Sequence, residues 1–211
     1  MRLILSIALA LFISISCSRS TKCCAMWMIK NLDVSKYRNG DNIPQVTDST
    51  QWKSLTTGAW CYYDNDPANG EIYGKLYNWY AVNDPRGLAP KGYHIPSDAE
   101  WRLLLNCLGE DSIVGGKMKE VGLIHWQSPN IGANNSCGFA GLPGGDRNFN
   151  GTFFAIGICG GWWSSTEDDA GGMIGEKATQ AWEYSLLYSD SVVYREHAYK
   201  SFGLSVRCLS D

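Results

Sequence analysis

Several kinds of chemistry have no residues here to carry them. No Cys-x-x-Cys pair occurs, and the three histidines, His94, His125 and His197, are scattered, so a zinc site lacks its usual ligand spacing. No cluster of Lys and Arg exists: 18 basic against 21 acidic residues leave a net charge of −3. Nothing in that balance tracks a phosphate backbone, and nucleic acid is not an expected partner. No apolar run reaches the roughly 20 residues that cross a bilayer as a helix. The Ser164-Ser165-Thr166-Glu167 run has neither a histidine beside it nor a nucleophile-elbow pattern, and reads better as strand-end hydrogen bonding. No internal repeat is found.

What is present begins at the N-terminus. Arg2 precedes an apolar run from Leu3 to Ile13, and Ser14-Ile15-Ser16-Cys17 follows. A charged start, a short apolar stretch and small residues at a cleavage point make an export signal. The segment is similar to a bacterial lipoprotein signal, in which a small residue precedes the cysteine that becomes the acylated N-terminus; Cys17 would be that cysteine. Ser14 stands where such signals carry Leu, Val or Ile, so ordinary cleavage after Ser16 or Ser18 stays open. Residues 1–17 are read as signal, 18–26 as a tether and 27–211 as one domain. Membrane contact is expected only through the lipid anchor.

Eight cysteines in an exported chain suggest disulfides. Acylation of Cys17 would leave seven, an odd number, so at least one thiol would be free or paired with another chain. Adjacent Cys23 and Cys24 are placed in or near the tether.

Along the domain, residues 39–57 are rich in turn formers, with Trp52 as their inward anchor. Residues 59–63 read as a short strand and 73–82 as a helical turn or short helix. Ser97 and Glu100 form a capping box, and Trp101, Leu104, Leu105 and Leu108 put one apolar stripe on the helix that follows, ended by Gly109. A second helix is expected over 112–121, weakened by Gly115-Gly116 and stopped by Gly122. The stretch 132–161 reads as a long ordered loop. A hairpin is expected from Trp182 to Tyr194, then a last strand, 202–208. There Leu204, Val206 and Cys208 face inward while Ser205 and Arg207 lie on the other face.

Six ordered blocks carry a family resemblance: Trp27 to Leu32, Tyr73 to Val82, Pro90 to Trp101, Gly138 to Gly145, Trp162 to Glu167 and Ser205 to Cys208. Together they resemble the Fibrobacter succinogenes major paralogous domain, a module of exported bacterial proteins. That family is similar in turn to C-type lectin-like domains and formylglycine-generating enzymes. The resemblance implies an α+β, C-type lectin-like fold with two helices packed on small twisted antiparallel sheets and long ordered loops. It also implies a disulfide between Cys107 and Cys208, against the alternative of two buried thiols. Closing a loop of about 100 residues would stabilise the fold by up to about 4.7 kcal/mol. Cys137 with Cys159, bracketing the glycine-rich stretch, is the second candidate pair.

The related oxidases need a cysteine pair close together near the domain's end, and Cys159 and Cys208 are far apart in sequence. No catalytic residue is assigned and enzyme activity is not expected. Calcium-dependent sugar binding would need clustered oxygens, and the lectin triplets Glu-Pro-Asn and Trp-Asn-Asp are absent. Weak candidate metal ligands are Asp64 and Asp66 in one acidic loop and Glu167, Asp168 and Asp169 in another, with solvated turns the more frequent alternative. Nine tryptophans and eleven tyrosines could be contact platforms or core. Trp27, Trp60, Trp79, Trp101, Trp162 and Trp163 are read as core; Trp126 and Trp182 are less committed. The functional reading is a non-enzymatic, envelope-displayed binding module for an unknown glycan or protein, with contacts over 132–161 and 167–178. A diverged oxidase or other envelope enzyme and a structural envelope component are the alternatives.

Overall fold

The computed structural model describes residues 23–168 and 179–211. The expectations at Cys17, at Asp169 and over 170–178 lie outside the described residues. The chain is α+β, and its centre is a five-stranded sheet in the order β5-β4-β6-β7-β8. These are β4 (Gly144–Arg147), β5 (Phe153–Ile156), β6 (Cys159–Asp168), β7 (Gln180–Leu187) and β8 (Val193–Tyr199). The sheet is mixed, because β4 and β6 pair in parallel through Gly145 and Gly160 while the other neighbours are antiparallel. Two small pairs, β1 (Trp60–Cys61) with β2 (Leu76–Tyr77) and β3 (Tyr93–His94) with β9 (Leu209–Ser210), are antiparallel.

Period two on β6 sends Trp162 and Trp163 to opposite faces of the sheet. Trp163 packs with Tyr77, Trp79, Ala181, Ala198 and Leu204, whereas Trp162 packs with Trp27, Trp101, Phe139, Tyr184 and Leu186. All six tryptophans read as core are buried, and so are Trp52 and Trp126. The indole N–H explains the choice of residue at four of them: Trp60, Trp79, Trp126 and Trp163 each donate to a backbone carbonyl of another segment, whereas the buried Trp101 Nε1 has no partner. A loop-rich domain has many such carbonyls to satisfy.

The long helix, Asp98–Leu108, starts at the expected capping box: Ser97 N donates to Glu100 Oε2 at 2.8 Å and Glu100 N to Ser97 Oγ at 3.3 Å. Trp101, Leu104 and Leu108 are its buried face, and Gly109 ends it with φ 111°. The second helix, Asp111–Met118, stops earlier than expected. Its two glycines serve close approach. A Cβ at Gly115 would stand 2.8 Å from Ser191 O, and one at Gly116 2.8 Å from the carbonyl carbon of Gly132. A side chain at either position would push the helix off the loops that it rests on.

Three expectations are corrected. The stretch 132–161 is not a continuous loop; it contains the β4–β5 hairpin and the start of β6. The last strand is not one ladder. Gly203, Leu204 and Ser205 bridge in turn to Arg147, Tyr77 and Trp162, three separate segments. Its second face is as buried as its first, with Ser205 and Arg207 both closed off.

The third concerns cysteine. Cys107 is bonded to Cys23, with Cα atoms 5.9 Å apart, and not to Cys208; Cys137 and Cys159 are not joined. Cys208 lies in the cluster under Trp163, away from the helix end that carries Cys107. Cys23 and Cys24, expected in or near the tether, are held against the body: Cys24 is buried and Trp27 N donates to its carbonyl.

Candidate functional site

The segment 28–32 is pinned beside the last strand, with Met28 N donating to Cys208 O and Leu32 N to Val206 O. Between these two hydrogen bonds sits Asn31, whose amide uses all its capacity. Nδ2 donates to Tyr73 O at 2.8 Å and Ser205 Oγ at 3.2 Å, while Oδ1 accepts from Trp162 Nε1 and Arg207 Nη2, each at 2.8 Å. Arg207 Nη1 donates to Met28 O at 2.8 Å and Phe139 O at 2.6 Å, and its guanidinium lies 4.2 Å from the Phe139 ring centre. Burial pulls the Arg207 pKa down, against the pull of the Cys208, Cys24 and Cys137 thiols. A guanidinium with its hydrogen bonds made is the cation that tolerates this.

Above that floor opens a cleft of about 380 Å³. Ile29, Lys30 and Asp33 stand on one side, Glu71 and Ile72 of the helix Pro67–Tyr73 on a second, and Glu120 with Leu142 on a third. Gly74 lets the walls meet: its φ is 76°, and a Cβ there would stand 3.0 Å from Leu32 O and 3.1 Å from Asn31 Cβ. Four of the six sequence blocks contribute to the cleft, through Asn31, Gly74, Leu142 and Arg207. Ile29 and Ile72 are exposed at its mouth. The cleft therefore offers apolar contact together with the Glu71 carboxylate and the Lys30 ammonium, beside Asp33 paired with Lys75 and Glu120 paired with His125, over a floor whose own hydrogen bonds are spent. Such a site can hold a ligand; it presents no nucleophile beside a base.

Two further buried cations share the Arg207 pattern. Arg147 donates to Val46 O, Thr47 O and Gly151 O between the rings of Trp52 and Phe153. Lys119 Nζ donates to Ile131 O, Leu187 O and Asp190 O, and burial pulls its pKa down to about 8. Each gathers irregular backbone that would otherwise bury unpaired carbonyls.

A second titratable group lies on the central sheet. Glu183 of β7 stands opposite Glu196 of β8. Burial, then Glu196 and Asp146, pushes its carboxyl up to about 8, and burial raises Asp146 to about 6. Burial and the same carboxylates raise the Cys159 thiol.

The weak metal candidates do not come together. Asp64 is exposed, and Asp66 caps the helix Pro67–Tyr73 by accepting from Ala68 N. Glu167 pairs with Lys200, and Asp168 lies 3.6 Å from His197 Nδ1. Among the described residues no three His, Cys, Asp or Glu side chains could hold a metal ion. From the expected contact stretch, Phe149 joins Tyr199 and Phe202 in an exposed aromatic group, with ring centres 5.6, 6.0 and 6.5 Å apart. Trp182 is partly exposed beneath the Arg195 guanidinium, 3.4 Å from its ring centre.

Sequence reading missed Asn31, Glu71, Glu120, Lys119, Arg147 and Glu183. Asn31 and Arg207 were visible as members of quoted blocks. The burial of Arg207 was not, because a lone polar residue in a short strand ordinarily faces solvent.

Fold and site together define a disulfide-linked α+β domain with an open cleft at its last strand. The chain belongs to the Fibrobacter succinogenes major domain family, whose profile matches residues 24–210. No curated protein and no solved structure matches the chain.

Proposed function

We propose that this chain is an exported, envelope-displayed binding module, non-enzymatic, that holds a glycan or protein segment in the cleft above Asn31 and Arg207. The observation that carries the reading is the preformed cleft itself: four distant segments meet on a hydrogen-bonded floor, and the walls leave Ile29, Ile72 and Glu71 open to a ligand. Asp33 is already paired with Lys75, so Glu71 is the wall's open carboxylate, and that mixture suits a partner with an apolar face and hydroxyl or cationic groups. The leader ending at Cys17 supports export and a lipid anchor. The Cys23–Cys107 bond fits an oxidising compartment.

The C-type lectin-like arrangement belongs to the same proposal. It is supported by the two helices lying together against the central sheet and by the two ends of the domain pairing at Trp27 and Leu209. Bound calcium is not part of it.

The test is a glycan-array and envelope-fraction binding screen of the mature domain, run beside the Glu71→Lys/Ile72→Asp variant. Retained ligand on the parent and at least tenfold weaker binding by the variant are expected. No ligand in either screen, or equal binding by both proteins, would overturn the reading.

A further inference from the structure

Cys23 and Cys24 are neighbours in sequence with different partners. Cys23 is bonded to Cys107 at the end of the long helix. The Cys24 thiol is free and lies close enough to the free Cys137 thiol for each to shift the other's titration, Cys24 upward and Cys137 downward. Both residues are closed off from solvent, at 5% and 2% exposure. They share one hydrophobic cluster with Trp27, Trp101 and Phe139. Each backbone is fixed: Trp27 N donates to Cys24 O at 2.9 Å, and Cys137 N to Lys117 O at 3.3 Å. Among the described residues the other thiols are elsewhere, Cys208 and Cys61 in the two remaining clusters and Cys159 on β6.

We propose that Cys24 and Cys137 close a second disulfide, so that the Cys23-Cys24 pair clamps the start of the domain to two separate places. Two free thiols that are neighbours in one buried cluster have a short way to move to the bonded separation of about 2.05 Å. The oxidant is a disulfide, R–S–S–R, of a small thiol or of an exchange protein. The Cys137 thiolate attacks one sulfur and releases R–S⁻, leaving Cys137 joined to the other R–S group. Cys24 then gives up its proton, attacks Cys137 sulfur and displaces the second R–S⁻. Two protein thiols are oxidised to one disulfide, R–S–S–R is reduced to two R–SH, and the two protons end on those thiols. The balance is the same if Cys24 attacks first. Burial places the exchange before the cluster has closed, during folding.

The clamp has a mechanical consequence that rests on the export reading. An anchor at Cys17 would pull on the chain at Cys23, and two crosslinks would divide that load between the helix end and the loop at Cys137.

The test is non-reducing trypsin digestion and mass spectrometry of the full protein, reduced, then equilibrated with oxidised glutathione and alkylated. Peptide 23–30 should be found joined to both 103–117 and 120–147 in one three-peptide species. Cys24→Ser should leave only the link to 103–117, which excludes an exchanged pairing. Alkylated Cys24 and Cys137 beside an intact Cys23–Cys107 bond, or a lasting glutathione adduct on either, would overturn the proposal. The same digest of protein taken from native envelopes separates the two readings. The bond forming with glutathione but missing there would support the pair and contradict the supply of oxidant that export implies.

Discussion

Asn31 Oδ1 accepts hydrogen bonds from both Trp162 Nε1 and Arg207 Nη2, each at 2.8 Å, and so ties the first segment of the domain to its central sheet and its last strand. One uncharged amide carries this junction, and no carboxylate balances the guanidinium. The expense of burying Arg207 is therefore met by hydrogen bonds to Asn31, Met28 and Phe139 and by the Phe139 ring beside it.

Arg207→Met should consequently lose at least about 3 kcal/mol, since the carbonyls of Met28 and Phe139 lose the Arg207 donors and Asn31 Oδ1 keeps only Trp162 Nε1. Arg207→Lys keeps the charge but not the fork and should recover less than half. Urea unfolding midpoints measure both. A Met variant within about 1 kcal/mol of the parent would show that the junction is held by packing.

The pH dependence follows from Glu183. Its folded pKa, about 8, is raised above the ordinary 4.5. Between those values the folded state binds more protons than the unfolded one. This contribution is present in full below 4.5 and is lost as pH rises through about 8. Asp146, raised to about 6, acts in the same direction over a lower window. Glu183→Gln should flatten the fall and stabilise the protein at pH 8 by about 1–2 kcal/mol, allowing for its partial exposure, or about 2–8 °C in Tm. Thermal melts from pH 4 to pH 9 on both proteins give the comparison, and parallel curves would contradict it.

Cys23→Ser should cost about 2–5 kcal/mol by freeing the loop that the Cys23–Cys107 bond closes across a sequence separation of 84. The measurement is denaturant unfolding without reductant. In excess dithiothreitol the parent and the variant should converge, and a gap that persists there would show that the serine harms packing by itself.

At the N-terminus, intact mass analysis of envelope-extracted protein should find Cys17 as the first residue, carrying acyl chains and partitioning into detergent. An unmodified terminus after Ser16 or Ser18 would remove the anchor and leave export standing.

Much of the scaffold was legible from local pattern. The capping box at Ser97 and Glu100, the apolar stripe from Trp101 to Leu108 and the Trp182 to Tyr194 hairpin depend on neighbours in sequence, and all are present. The parallel pairing of Gly145 with Gly160 and the three bridges of residues 203–205 depend on where distant segments end up, which no short window contains. The same holds for Cys23: its spacing from Cys107 carries no sign of pairing, and its position beside Cys24 read as tether. Arg207 shows the limit most clearly. Alternation placed it correctly opposite Val206 and Cys208, but the second face is covered by segment 28–32 and Phe139, so the polar residue is inside.

The cleft is the centre of the functional account, and amide chemical-shift mapping tests it most directly. The isotope-labelled mature domain would be titrated with the ligand recovered from the binding screen. Saturable shifts should gather at residues 29–33, 71–74, 120 and 140–142, with Phe149, Tyr199 and Phe202 unmoved. Shifts centred on that aromatic group, with the cleft residues silent, would contradict the assignment.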